Sequence, residues 1–336
     1  MKIRVAVLGA GSWGTTFASL ASHNAETVLW SRDADLAGEI NEHHRNGRYL
    51  PTFTLHPALR ASSSLSETVA CADVLVMGVP SHVFRSTLAA AQPYLRAWVP
   101  IVSLTKGFEQ HTKLRMTQVA AEIATGHPTG VLTGPNLAKE ILHGHAAAAV
   151  LAMADEHISE RLQDIFATDH FRVYTNVDVI GCEVAGAFKN VIALASGMAD
   201  GLGTGDNTRA AVITRGLHEL TSLGVTMGGD PLTFAGLAGM GDLVATCISA
   251  QSRNRYVGEQ LGRGRPLADI IAEMNQVAEG VKAVRVVKEL GDELGLDLPI
   301  VNEVYRVVVD GQPASEAYRG LLRRKVGRET RAPAAR

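Results

Sequence analysis

Lys189 and Asn190 stand side by side in Glu183-Val184-Ala185-Gly186-Ala187-Phe188-Lys189-Asn190-Val191-Ile192-Ala193-Leu194-Ala195, an otherwise apolar run of helix length. A helix that is apolar on all sides is normally buried. An ammonium group carried into such a place loses hydration worth several kcal/mol unless something charged or reactive meets it. Desolvation also lowers a lysine's pKa toward neutrality, where the amine can exchange protons with a substrate. The plainer alternative is that Lys189 snorkels to the surface on its long stem. The next polar position after Asn190 is Ser196, which weighs against that alternative.

A second chemical signature lies at the other end of the chain. A β-branched run at 3–8 is followed by Gly9-Ala10-Gly11-Ser12-Trp13-Gly14 and then by a small-residue helical stretch at 15–22. Strand, Gly9-x-Gly11-x-x-Gly14, helix is the dinucleotide fingerprint in its required context. The glycines permit a tight turn, close approach of backbone to pyrophosphate and close helix packing, and the helix N-terminus offers N–H groups to the anion. In that loop the Ser12 hydroxyl can meet phosphate. Trp13 can cover the cofactor or simply pack in the core. NAD-selecting folds place an acid about 20 residues after the glycines to hold the ribose. Here the second strand runs into Trp30-Ser31-Arg32, with acids only at Asp33 and Asp35. An arginine there can pair with a 2′-phosphate, which favours NADP(H), while Asp33 reaching a ribose hydroxyl leaves NAD(H) possible. Arg32 as an ordinary solvated loop charge is the bland reading.

These groups need elements to position them. Runs at 27–30, 73–79, 100–104, 130–133 and 146–152 read as further strands, with a helical stretch at 83–94. Val-, Ile- and Leu-rich strands alternating with helices predict a parallel sheet covered on both faces. Ligands collect at the carboxyl ends of such strands, which is where Val79-Pro80-Ser81, Lys106-Gly107 and Gly134-Pro135-Asn136 fall. Lys106 would then set a second cation near Lys189, although a lysine after a strand is common on surfaces. After about residue 176 the pattern changes to helices at 179–199, 209–223, 258–261, 268–274, 278–294 and 300–309. In that half Asp242 stands at an expected helix start among glycines, as a helix cap or as a substrate ligand, with Thr246 sharing its face. Gln251-Ser252-Arg253-Asn254-Arg255 reads as a loop fit to clamp a phosphate. The expected architecture is an α/β Rossmann-like N-terminal domain with a parallel-sheet core, residues 1–177, and an all-α substrate-binding domain, residues 178–325. Residues 326–336 form a basic tail, expected to be disordered.

Bulk properties narrow the function. At 336 residues and 46% hydrophobic content there is material for about two domains. A formal net charge of -2 gives no general attraction to nucleic acid or anionic membranes. Cys71, Cys182 and Cys247 lie far apart, which argues against a disulfide framework or a structural metal site and fits a reducing compartment. No stretch reads as both long enough and polar-free enough to cross a bilayer, and the chain enters a strand at once, so the cytoplasm is the expected setting. The apolar helical half makes a homodimer the expected assembly.

Taken together, Gly-Ala-Gly-Ser-Trp-Gly at 9–14, Lys-Gly-Phe-Glu at 106–109, Thr-Gly-Pro-Asn at 133–136, Phe-Lys-Asn-Val-Ile-Ala at 188–193, Gly-Asp-Leu-Val at 241–244, Gln-Ser-Arg-Asn-Arg at 251–255 and Ala-Glu-Gly at 278–280 closely resemble the bacterial-type NAD(P)-dependent glycerol-3-phosphate dehydrogenases. The resemblance implies reversible hydride transfer between NAD(P)H and dihydroxyacetone phosphate, giving sn-glycerol 3-phosphate for glycerophospholipid synthesis. It implies Lys189 as general acid/base, with Lys106, Asn190, Asp242 and Thr246 completing the substrate site. Ser252, Arg253 and Asn254 would bind the phosphorylated substrate, and Gly134 and Asn136 would line it from the other side. Asn136 stands where the family usually has serine. Ser12, Trp13, Arg32, Lys106, Ala138, Arg253, Val277 and Glu279 would contact the dinucleotide. A β-hydroxyacid or 6-phosphogluconate-type dehydrogenase shares the N-terminal fold and a lysine on a buried helix, but the segments at 241–244 and 251–255 tip the reading away from it. A non-catalytic NADP(H) sensor would need no dry lysine facing the nicotinamide.

Overall fold

The computed structural model describes residues 3–274 and 278–323. Val277 and the basic tail at 326–336 therefore lie outside the described residues.

The first half winds β1 (Arg4–Leu8), α1 (Ser12–Ala21), β2 (Glu26–Trp30), α2 (Ala34–His43), β3 (Arg60–Ser62), α3 (Leu65–Ala70), β4 (Val74–Met77) and α4 (Ser81–Ala91). It continues through β5 (Ile101–Ser103), α5 (Met116–Ile123), β6 (Thr129–Thr133), α6 (Ala138–Leu142), β7 (Ala147–Met153), α7 (Glu156–Phe166) and β8 (Phe171–Asn176). All eight strands join one sheet in the order β3-β2-β1-β4-β5-β6-β7-β8. Strands such as Val74-Leu75-Val76-Met77 are buried on both faces, because helices cover both sides.

One expectation for the sheet needs correcting. β7 pairs antiparallel with β6, Leu132 opposite Leu151, so β7 and β8 run against the other six. β6 and β7 are joined through the five-residue α6 and a turn at Gly144, and the chain returns beside β6 in the opposite direction. β8 itself carries an alternating buried and exposed pattern as the half-covered edge strand, and the run-based reading passed over it.

The second half contains α8 (Val179–Gly201), α9 (Asp206–Thr226), α10 (Pro231–Ala235), a π turn (Leu237–Gly241), α11 (Asp242–Ile248), α12 (Arg253–Gly262), α13 (Leu267–Ala272), α14 (Glu279–Glu293), α15 (Pro299–Val308) and α16 (Ala314–Leu322). No strand occurs among the described residues of this half. α8 is the axis around which the others pack, and Gly181 through Ala199 along it are buried. By length and composition it could cross a membrane, contrary to the sequence expectation. Here it is a core helix enclosed by protein. Its glycines set the packing distance. A Cβ on Gly197 would lie 2.0 Å from the Arg255 carbonyl, and one on Gly258 would lie 2.1 Å from that of Leu194. Backbones of α8 and α12 therefore touch, which brings the start of α12 beside the middle of α8.

Candidate active site

Lys189 is 5% exposed, enclosed midway along α8. Its Nζ donates to Asp242 Oδ1 at 2.6 Å and to Thr246 Oγ1 at 2.5 Å. Asp242, 2% exposed, is the first residue of α11, and Thr246 follows one turn later on the same face. The carboxylate is not a helix cap, correcting that option, since its oxygens are turned to cations and make no cap hydrogen bond. Asp242 Oδ2 accepts from Lys106 Nζ at 2.6 Å, and the same ammonium donates to the Gly134 carbonyl at 2.7 Å. One carboxylate thus joins two lysines from two domains. Burial pushes the Lys189 pKa down to about 8, with Lys106 adding to the depression and Asp242 opposing it. An ammonium has three N–H donors, and the structure gives Lys189 and Lys106 two hydrogen bonds each. Each keeps one donor for a further oxygen.

Around this centre Asn190 spans the domains, its Nδ2 lying 3.4 Å from the Lys106 carbonyl and 3.3 Å from that of Gly186. Asn254 Nδ2 donates to Asn190 Oδ1 at 2.8 Å, and Asn254 Oδ1 accepts from Gly280 N at 2.9 Å. Asn254 is accordingly the tie between α8, α12 and α14. The expected loop at 251–255 is instead a helix start. Ser252 is the N-cap of α12, its Oγ accepting from Arg255 N, and Arg253 opens the first turn. Arg253 reaches the surface, yet the protein around it strips enough hydration to lower its pKa, against the pull of Glu279. Gln251 and Arg255 turn elsewhere, to Glu140 and Asp200.

The fingerprint loop fits a pyrophosphate. Gly9 adopts φ +117, and a Cβ there would lie 2.7 Å from the Gly78 carbonyl. A Cβ on Gly14 would lie 2.0 Å from the Gly9 carbonyl, whereas one on Gly11 would meet nothing within 4 Å. The loop is therefore closed toward the protein and open beyond Gly11, the N-cap of α1, which supplies no side-chain cap. Ser12 opens α1, leaving its first-turn N–H groups for an anion. Trp13 packs edge-on to Phe17 and tilts against Phe171, with Nε1 buried and without a hydrogen-bond partner among the described residues. Both amide atoms of Asn136 share that condition. Ala138 begins α6. Arg32 is exposed just past β2. Glu279 opens α14 and accepts from Ser81 Oγ at 2.9 Å and Ser81 N at 3.4 Å, joining the helical domain to the strand end after β4.

Sequence reasoning missed Glu183. Its carboxylate accepts from Arg115 Nη1 at 2.5 Å, Thr117 N at 2.8 Å and Thr117 Oγ1 at 2.5 Å, so α8 caps the N-terminus of α5 across the domain boundary. Burial raises its pKa, and Arg115 opposes that rise. The argument made for Lys189, that a charge in an apolar run needs a partner, applies equally six residues earlier.

A fingerprint-bearing sheet joined to a helical domain that delivers a dry lysine to the strand ends defines a two-domain dinucleotide-binding oxidoreductase architecture. The comparisons with known proteins narrow it. Family models described as the N-terminus and C-terminus of NAD-dependent glycerol-3-phosphate dehydrogenase match residues 4–159 and 178–319. The chain belongs to that family. It is 56% identical over 329 residues to NAD(P)+ glycerol-3-phosphate dehydrogenase 2 of Sphingopyxis alaskensis, covering 98% of this chain and 99% of that one. It is 55% identical over 327 residues to the corresponding enzyme 1 of Mycobacterium tuberculosis, covering 97% and 96%. The crystal structure of glycerol-3-phosphate dehydrogenase from Coxiella burnetii superposes with a TM-score of 0.92 at 35% identity, covering 96% of this chain and 99% of that one.

Proposed function

We propose that this protein reduces dihydroxyacetone phosphate to sn-glycerol 3-phosphate, reversibly, with NAD(P)H. The observation that carries the reading is the Lys189 ammonium, buried, held by Asp242 and Thr246, and left with one N–H to give. Chemistry supplied by a bound nicotinamide is hydride transfer to the ketone carbon. The protein's part is to hold the ketone oxygen at Lys189 Nζ and to release a proton to it as negative charge builds there. In the oxidising direction the neutral amine takes that proton back. Lys106, Lys189 and Asp242 together leave one net positive charge in a dry place, which favours an oxyanion.

Arg253 and the first turn of α12 are the phosphate site in this reading, since a guanidinium and a helix N-terminus stand together there. Anchoring the phosphate there fixes the ketone in line with Lys189 and spends remote binding energy on orientation. Asn190 and Asn254 hold the two domains around that line, and Gly134, by pinning Lys106, and Asn136 border it on the sheet side. Ser12, Trp13, Arg32, Ala138 and Glu279 hold the dinucleotide, together with Lys106 and Arg253 at its reactive end. NADP(H) is the preferred cofactor in this reading, on the strength of Arg32 where an acid would select NAD. A homodimer, a cytoplasmic setting and a supply of glycerol 3-phosphate to phospholipids belong to the same proposal, supported by the apolar helical half, the unpaired cysteines and the family.

The test is oxidation of NADPH and NADH followed by absorbance with dihydroxyacetone phosphate and with a panel of phosphorylated ketones and hydroxyacids. Lys189→Met should abolish turnover with the triose phosphate while NADPH still binds. Substantial residual kcat would overturn the acid/base role, and turnover of another substrate in its place would overturn the reaction.

A further inference from the structure

Downstream of α2 the chain makes a short loop held by its own hydrogen bonds and by those of Asn46 to α1. His44 leaves α2 with φ 50, and Asn46, fully buried, donates from Nδ2 to the Ala10 carbonyl at 3.0 Å and to Thr15 Oγ1 at 2.8 Å. Its Oδ1 accepts from Tyr49 N at 3.1 Å, Leu50 N returns to the Asn46 carbonyl at 2.8 Å, and Gly47 N donates to Glu39. The loop is thereby fastened directly to the glycine-rich turn and to α1. Arg48 projects from it. Its guanidinium lies 5.3 Å from the centre of the Tyr49 ring, and Nη1 stands 3.8 Å from Asp33 Oδ2, beyond hydrogen-bond reach.

Asp33 is the acid best placed at the end of β2 to take a ribose hydroxyl. Its Oδ1 is already engaged by the N–H groups of Asp35 and Leu36, at 3.1 and 3.2 Å, and its Oδ2 faces Arg48. The acid caps a helix and is charge-compensated. Arg32 beside it is exposed and makes no hydrogen bond or ion pair among the described residues. The end of β2 therefore presents two guanidiniums, one on the strand exit and one on the stapled loop, with their planar donor forks uncommitted to any carboxylate by hydrogen bonds.

We propose that Arg48 is the second arm of a two-arginine clamp for the 2′-phosphate of the cofactor, with Arg32 as the first. The proposal rests on the NADP(H) reading given above and adds the residue that sequence spacing could not supply. A 2′-phosphate dianion between Arg32 and Arg48 receives charge-assisted, bidentate hydrogen bonds from both, while a neutral 2′-hydroxyl offers neither the charge nor the second oxygen and gains far less. Tyr49 and the Asn46 staple hold Arg48 near the clamp before the cofactor arrives, so little ordering entropy is lost on binding.

The experiment compares wild type, Arg32→Ala, Arg48→Ala and Arg48→Lys in Kd for NADPH and NADH by cofactor fluorescence, and in inhibition by 2′,5′-ADP and 5′-AMP. Arg48→Ala should weaken NADPH and 2′,5′-ADP roughly tenfold, leave NADH and 5′-AMP within about twofold, and be partly rescued in Arg48→Lys. The unchanged NADH binding also shows the variant to be folded. If Arg32→Ala weakens NADPH and Arg48→Ala does not, the clamp is wrong and the NADP(H) reading stands. If wild type binds 2′,5′-ADP no better than 5′-AMP and Arg32→Ala is equally silent, the cofactor reading fails and the clamp falls with it.

Discussion

Asp242→Asn removes one charge and almost no volume from the centre of the site, and its effect on the pH profile can be worked out beforehand. In the wild type the Lys189 pKa of about 8 is a balance, with burial and Lys106 pushing it down and Asp242 holding it up. An oxygen 2.6 Å from Nζ in a nearly dry setting is the main support of the charged form. At an effective dielectric near 20, two charges about 4 Å apart attract by about 4 kcal/mol, and one pKa unit is about 1.4 kcal/mol. Relaxation and entry of water recover part of that, so the amine should fall from about 8 to about 6. At about pH 7.5 the protonated fraction then drops from roughly three quarters to a few per cent, a loss of about 25-fold in ketone reduction. The assay is kcat for dihydroxyacetone phosphate reduction between about pH 5 and pH 9.5, followed by cofactor absorbance. In the wild type the rate should decline as pH rises through about 8, because the acid is lost. In the variant that decline should begin near pH 6, with rate regained on acidification. An alkaline limb that stays near 8 in Asp242→Asn would refute the reasoning, since Lys189 would then be tuned by something other than this carboxylate.

The same structure carries two further expected outcomes. Arg253→Ala should raise KM for the triose phosphate by about ten- to a hundredfold through loss of a charge-assisted phosphate contact, with a smaller change in kcat; an unchanged KM would remove it from the phosphate site. Glu219, buried on α9 and accepting from Ile300 N and Val301 N at the start of α15, has its pKa pushed up to about 7 by burial. The folded form holds that proton across a range where the unfolded chain has already lost it, so stability should fall by about 3 kcal/mol as pH rises from about 4.5 to about 7. Urea unfolding of Glu219→Gln against wild type at several pH values checks this, and equal pH slopes would contradict it.

How much was legible in the sequence depends on the range of the interaction. The strand at 74–77 and the turn at 9–14 announce themselves because runs of β-branched residues and spaced glycines are short-range signals. The half-covered β8 did not, since Phe171-Arg172-Val173-Tyr174-Thr175-Asn176 has only two buried positions, and which face of an edge strand is covered depends on what packs there. Asp242 was legible as a carboxylate among glycines but not as the bridge between Lys106 and Lys189, because its partners lie 136 and 53 residues away. Glu183 was hidden for the same reason, its partners Arg115 and Thr117 sitting on another domain.

Composition and local pattern alone determined that this chain builds a dinucleotide-type sheet followed by helices, and that a lysine in a run with no polar relief must meet a charge. Only the tertiary structure decided which charge, through the contact of α8 and α12 backbones, the reversal of β7, and the loop after β5 and the start of α11 that bring Lys106 and Asp242 to one point. Hydrophobic periodicity and turn chemistry are written into neighbouring residues, whereas the meeting of groups far apart in the chain depends on packing that every element settles jointly.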